Sequence, residues 1–353
     1  MDLIEGDSFM ATISDIAKYL GISISTVSKG LNNASDISEE TRQLVLDAAV
    51  ALGYMPKRRM NLSNNNDGRK VCVLIENMDY ENHEEFSYDL IQGFKQTAFL
   101  KNWLVDIVPM KLTAQSTNQY DQLLLANRYS GGFIIGSSMH NDYSKQIAKT
   151  RFPTVLYDNN VHTNPKVGYV GTDCYEGLRL AIEHLYELGH RKIAFLNGAK
   201  NTTVSYERTQ AFETVMKEFG LKIYPVLFEY GYYVPDCAKY HVPKFIDNGA
   251  TAIICASDLI ASGAIAEVTK RGLRVPEDIS IIGFDDLPFC TNLNPPLTTI
   301  RQDRQNLGRS AMFLLDCLIN NIPINKVLLH AQFILRESTC QCKNTANRTF
   351  KSS

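Results

Sequence analysis

Apolar residues early in the chain recur at helical spacing and break twice. Ile13, Ile16 and Leu20 fall on one face of a first helix, Gly21 interrupts it, and Val27 restores the apolar face in a second helix that Ser23 is placed to cap. The small Ala17 lets the two helices cross closely. A third helix is expected from Ser38 to Gly53, with Ser38 as cap, Glu39 and Glu40 in the first turn, and Leu44, Val45, Ala48, Ala49 and Leu52 as its buried stripe. A plain helical hairpin would share these offsets. The outward positions of the second helix, Ile24, Ser25, Ser28 and Lys29, argue for a different use, because a merely solvated helix would carry more long charged side chains there. Helix, tight turn and second helix is the arrangement that enters the DNA major groove. Residues 10–56 are therefore expected to form an all-α helix-turn-helix DNA-binding head.

From Val71 the pattern changes to short continuous apolar runs at 71–75, 132–135, 153–157, 192–196, 252–255 and 279–282. Amphipathic stretches separate them, notably 175–188, 207–219 and 259–271. Such strands, apolar on both faces and alternating with helices, indicate parallel sheets covered on both sides, and hence an α/β body of two lobes. Between head and body, residues 57–70 lack apolar periodicity, are rich in turn formers, and bring Lys57, Arg58, Arg59, Arg69 and Lys70 together as a basic linker.

Ligands of open parallel sheets bind beyond the carboxyl ends of the strands. Those ends offer Glu76 and Asn77, Ser137 and Ser138, Asp158, Ser257 and Asp258, and Asp285, while Arg208 near the start of a helix can approach the same place. Carboxylates, one guanidinium and aromatic rings from Tyr80, Phe86, Tyr232 or Tyr233 suit a polyhydroxylated ring, with paired polar groups on hydroxyls and an aromatic face on carbon. Asp158 and Asp285 could instead cap helices or form turns, and Tyr232 and Tyr233 could be core residues.

The ordered series Thr12-Ile13-Ser14-Asp15-Ile16-Ala17, Ser23-x-Ser25-Thr26-Val27-Ser28, Leu31-Asn32, Ser38-Glu39-Glu40-Thr41-Arg42 and Leu52-Gly53-Tyr54-x-Pro56 resembles the lactose-repressor (LacI/GalR) family of bacterial transcription regulators. It continues through Glu183-His184-Leu185, Leu188-Gly189-His190, Gly283-Phe284-Asp285-Asp286 and Pro295-Pro296-Leu297-Thr298-Thr299-Ile300. The resemblance implies a periplasmic-binding-protein-like (type I) body over 71–340, with chain crossings near Asn160, Phe289 and Pro323. Lobe one would then comprise 71–160 and 290–322, lobe two 161–289 and 323–340, and 341–353 would be a tail.

It also implies an operator-binding homodimer in which Ile24, Ser25 and Lys29 face base edges while Thr12, Ser23, Thr26, Ser28 and Asn32 contact the backbone. Effector contacts are implied at Asp158, Arg208, Ser257 and Asp285, with Ser257 departing from the amide often found in the family. Family members wedge a linker leucine into the minor groove. Here that position is Ser63, with Leu62 one residue early and Arg58-Arg59-Met60 in place of small residues, so phosphate contact by the linker is the preferred expectation. A controlling small effector of sugar type is expected. The alternative is control by a protein partner, such as a phosphorylated sugar-transport carrier. A solute-binding transport component, the third possibility, does not need the head.

A net charge of −2 over 353 residues confines any nucleic-acid footprint to local patches. The scattered cysteines, eight in all, suit reduced core residues better than a disulfide framework, and Cys340-Gln341-Cys342 lacks the further ligands a zinc site needs. His184 and His190 lie in or at the end of a helix and are expected to be structural. No catalytic triad order, P-loop, dinucleotide fingerprint or metal spacing is present, so neither an enzyme nor a bound cofactor is expected. No hydrophobic run is long enough to span a bilayer and the first residues lack the features of a signal peptide, so a cytoplasmic location is expected, with the residues before Met10 read as an extension or as an early start codon.

Overall fold

The computed structural model describes residues 11–56, 69–76, 78–109, 119–136, 142–161 and 163–343. The head is three helices, α1 (Ile13–Leu20), α2 (Ile24–Leu31) and α3 (Glu39–Leu52). Local chemistry sets their ends. Thr12 and Asp15 form a reciprocal capping box on α1, Gly21 turns the chain at φ 67°, and Ser23 and Ser38 cap α2 and α3. Ile16, Val27 and Val45 are fully buried at the centre of the head. The expected stripe of α3 is corrected at one position: Leu44 is 52% exposed and Leu46 is buried in its place. The cause is tertiary, since α3 packs against α1, α2 and a helix of the body, and so is covered along more than one face.

Lobe one contains β1 (Lys70–Ile75), α4 (Phe86–Leu100), β2 (Leu104–Pro109), α5 (Gln119–Ala126), β3 (Gly132–Ile135), α6 (Asp142–Lys149), β4 (Thr154–Tyr157) and β5 (Val167–Thr172). The chain then builds lobe two from α7 (Cys174–Glu187), β6 (Ile193–Asn197), α8 (Thr203–Glu218), β7 (Phe228–Tyr230), α9 (Ala238–Asp247), β8 (Ala252–Cys255), α10 (Asp258–Lys270), β9 (Ser280–Asp285) and β10 (Thr298–Arg301). It returns to lobe one for α11 (Arg304–Ile319) and β11 (Lys326–Leu329), and ends in lobe two with β12 (Gln332–Ile334). The two six-stranded sheets run β11-β5-β4-β3-β1-β2 and β12-β10-β9-β8-β6-β7. Their described pairings are parallel except β12, which lies antiparallel to β10.

This topology moves all three crossings later than the sequence placed them. β5 pairs with β4 and β10 with β9, so the crossings fall at 173, 302–303 and 330–331 instead of near Asn160, Phe289 and Pro323. β5 escaped the sequence reading because Gly168 and Gly171 dilute its apolar run. A Cβ on Gly168 would come within 2.9 Å of Leu314 of α11, so glycine there serves close helix-on-sheet packing. The linker boundary also shifts: Lys70 begins β1 and pairs with Asp106 at 2.7 Å, while the Arg69 guanidinium lies over the Trp103 ring.

Alternate residues of β1 enter different cores, as a sheet covered on both faces requires. Val71, Val73 and Ile75 face the layer of α4 and α11, whereas Cys72 and Leu74 face the layer of α5 and α6. The α4 and α11 backbones nearly touch, because a Cβ on Gly93 or Gly308 would overlap the main-chain oxygen of Gln305 or Leu90.

Candidate functional site

Two candidate surfaces emerge, one on the head and one between the lobes. On the head, α2 buries Val27, Gly30 and Leu31, and a Cβ on Gly30 would stand only 3.0 Å from Val45. Its opposite face is open. Ile24 is 56% exposed with Ser25 beside it, and Lys29 forms an exposed ion pair with Asp36 at 2.5 Å. Lys29 holds the Asp36 carboxyl below its usual range, so a phosphate or base must displace that carboxylate. Thr12, Ser23 and Thr26 are tied up locally: Thr12 in its capping box, and Ser23 with the Thr26 hydroxyl at 2.8 Å. Asn32 donates to the Ser28 hydroxyl at 3.2 Å, and its carboxamide oxygen accepts from Arg128 of the body at 2.6 Å. Lys57, Arg58, Arg59, Leu62 and Ser63 lie outside the described residues.

Between the lobes, Asp158 follows β4 at φ 53° and Asp285 ends β9 at φ 122°. Left-handed backbone at these strand ends turns the carboxylates into the crevice. Arg208 from α8 comes between them. Its guanidinium is 3% exposed, stands 4.1 Å over the Phe284 ring centroid and donates to the Ala256 carbonyl at 2.5 Å, while its Nε has no partner. Burial pushes the Asp158 carboxyl up to about 7 against the opposing pull of Arg208. Burial likewise raises Asp285, with Asp258 adding like-charge repulsion.

A bridge of hydrogen bonds joins the two walls. Tyr157 donates to Gln302 Oε1 at 3.3 Å, and Gln302 Nε2 donates to Asp285 at 2.7 Å. Gln302 occupies a crossing segment, and nothing in its local sequence marks it as a site residue. Phe86 packs on Tyr157 at 5.4 Å between ring centroids and touches the cores of both lobes.

Three expected effector contacts are redirected. Tyr232 is 71% exposed, and it is Tyr233 that turns inward, its ring lying on Gly198 and its hydroxyl 3.4 Å from Ser205. Asp258 is fully buried and spent on the Leu287 amide at 2.8 Å and the Thr299 hydroxyl at 2.6 Å, which holds the turn after β9. Ser257 caps α10 through the Ile260 amide. Of the two tyrosines only Tyr233 faces inward, whereas Ser257 and Asp258 both serve the scaffold at the start of α10. Tyr80 is half-buried against lobe one, and Asn77 and Ser137 lie outside the described residues.

The two histidines are structural. His190 bonds the Thr251 hydroxyl at 2.9 Å and the Cys340 carbonyl at 3.0 Å, and His184 bonds Thr339 at 3.0 Å. Among the described residues all eight cysteines are free, and no His/Cys/Asp/Glu group could hold a metal.

An open recognition helix on a capped three-helix head agrees with a family match: residues 12–57 match the bacterial regulatory proteins of the lacI family. The head is a LacI-family helix-turn-helix domain. Residues 182–339 match the periplasmic binding protein-like domain. The chain is 29% identical over 337 residues to the HTH-type transcriptional repressor PurR of Pasteurella multocida, spanning 93% of this chain and 98% of the relative. Similarity to the transcriptional repressor CytR of Escherichia coli is 28% over 333 residues, with 93% and 96% spanned. Among solved structures, the lac repressor dimer bound to operator and the anti-inducer ONPF matches with a TM-score of 0.64 at 26% identity, over 94% of this chain and 99% of that one. The protein is thus a DNA-binding transcription regulator with a helix-turn-helix head and a two-sheet α/β body. No described helix is long and apolar enough to cross a membrane.

Proposed function

We propose that the chain is a transcriptional repressor that reads a pseudo-palindromic operator as a homodimer, and that a sugar or sugar derivative bound between the lobes sets its hold on DNA. The observation that carries the reading is the convergence of Asp158 from lobe one with Arg208 and Asp285 from lobe two, over the Phe284 ring and beside Tyr233. Groups from both lobes on one ligand mean that binding biases the angle between lobes, which is the differential contact an allosteric switch requires. Two acidic groups beside one guanidinium offer the paired donors and acceptors that suit a ligand with several hydroxyls. Self-association is supported by Phe99, Leu100 and Leu104, which leave 79%, 82% and 58% of their surface exposed within six residues at one edge of lobe one. The relatives named repressors support the direction of control.

Calorimetric titration of the full chain against mono- and disaccharides, sugar phosphates and nucleobases tests this, with Arg208→Ala as control. Binding of a neutral sugar that is lost in the variant supports the reading. Silence across the panel, with operator binding intact, would favour control by a protein partner.

A further inference from the structure

The head rests on lobe one through a built contact. α3 packs directly on α5, and the head core around Val45 and Ala49 is continuous with the apolar layer of Leu124 and Leu125 beneath it. Three polar grips surround this seam. Arg128, at φ 58° just after α5, donates to the Asn32 carboxamide oxygen at 2.6 Å and to its carbonyl at 3.4 Å. Gln122 of α5 donates to the Asp47 carboxylate of α3. The Arg151 guanidinium reaches Gly53 with its Nη1 foremost, where any Cβ would overlap it, and so brings a cation to the C-terminal end of α3. The recognition face is untouched by all of this: Ile24 and Ser25 remain exposed on the side of α2 away from α3.

We propose that this contact is a docking seat that fixes the orientation of the recognition helix relative to lobe one. A shift of lobe one then reaches the DNA-reading surface through α5 as well as through the linker. In this seat Asn32 is a positioning residue, its carboxamide oxygen committed to Arg128 and not to DNA. The polar grips are exposed and individually weak, so they select the docking pose while the apolar seam supplies the adhesion.

Hydrogen exchange read by mass spectrometry on the full chain tests the seat without any operator or effector, so its failure is separate from failure of the proposed function. The variants are Asp47→Lys, Asp47→Lys with Gln122→Glu, and Arg128→Glu. Exchange across 119–126 is expected to rise several-fold in Asp47→Lys and in Arg128→Glu, and to return to the starting level in the double variant, whose lysine and glutamate form a new pair. Unchanged exchange in α5 in both single variants overturns the seat, as does a double variant that exchanges like Asp47→Lys. Should Asp47→Lys loosen α1 and α2 as well, the head itself has been weakened. Arg128→Glu, which lies outside the head, then decides: looser α5 supports the seat and unchanged α5 overturns it.

Discussion

At the scale of the residue, the cleft is governed by charge held out of water. Asp158 and Asp285 are raised because burial disfavours the ionised form more than Arg208 favours it. A carboxyl whose folded value lies above its unfolded value contributes stability below the ordinary carboxylate range, and that contribution fades as pH rises through about 7. The ligand-free protein should therefore lose thermal stability between pH 5 and 8, as melting at constant ionic strength would reveal; a melting temperature that rises over this window contradicts it. Hydroxyls that donate to these carboxylates favour their ionised forms. Effector binding near pH 6 should then release protons, measurable as a dependence of the calorimetric heat on buffer ionisation enthalpy. On the head, the ion pair with Asp36 occupies the Lys29 ammonium. Removing that exposed partner by Asp36→Asn should strengthen DNA binding by a small factor, less than about tenfold, read by fluorescence anisotropy.

At the scale of the element, glycines without a special φ report close packing. Gly308 of α11 and Gly93 of α4 allow two helix backbones to meet, and α11 in turn covers β3, β4 and β5. Gly308→Ala must push main chain against main chain, so it should destabilise the body by about 1–3 kcal/mol in urea unfolding despite its higher helix propensity. A stabilised variant would show that the helices can separate at little cost. The strand β5 carries the same lesson in reverse: its two glycines made it unreadable as an apolar run, yet Gly168 is what lets Leu314 lie against the sheet.

At the scale of the whole molecule, one acidic side chain links the lobes beside the cleft. Glu207, next to Arg208 on α8, accepts from Tyr169 of β5 at 2.9 Å and from Lys326 of β11 at 3.1 Å, and so ties lobe two to lobe one beside the cleft. Glu207→Ala leaves the buried Tyr169 hydroxyl without its acceptor. The expected loss is about 1–3 kcal/mol in thermal unfolding, mostly from Tyr169, because the half-exposed lysine pair adds little. Lys326→Met should accordingly cost much less than Glu207→Ala. Equal costs would assign the effect to the ion pair instead.

The sequence by itself determined the head, the fold class of the body and the chemical types at the cleft. Those are local properties: caps at Thr12, Ser23 and Ser38, a turn at Gly21, apolar periods, and polar residues where strands stop. Tertiary structure decided which of two neighbouring tyrosines turns inward, Tyr233 over Tyr232, and committed both Ser257 and Asp258 to the scaffold, because side-chain direction depends on where each segment is anchored. It also decided where the chain changes lobes, since β5 and β10 are defined by their partners β4 and β9 and not by their own apolar content. Gln302 joined the site for the same reason: only the fold brings a crossing segment within reach of Tyr157 and Asp285.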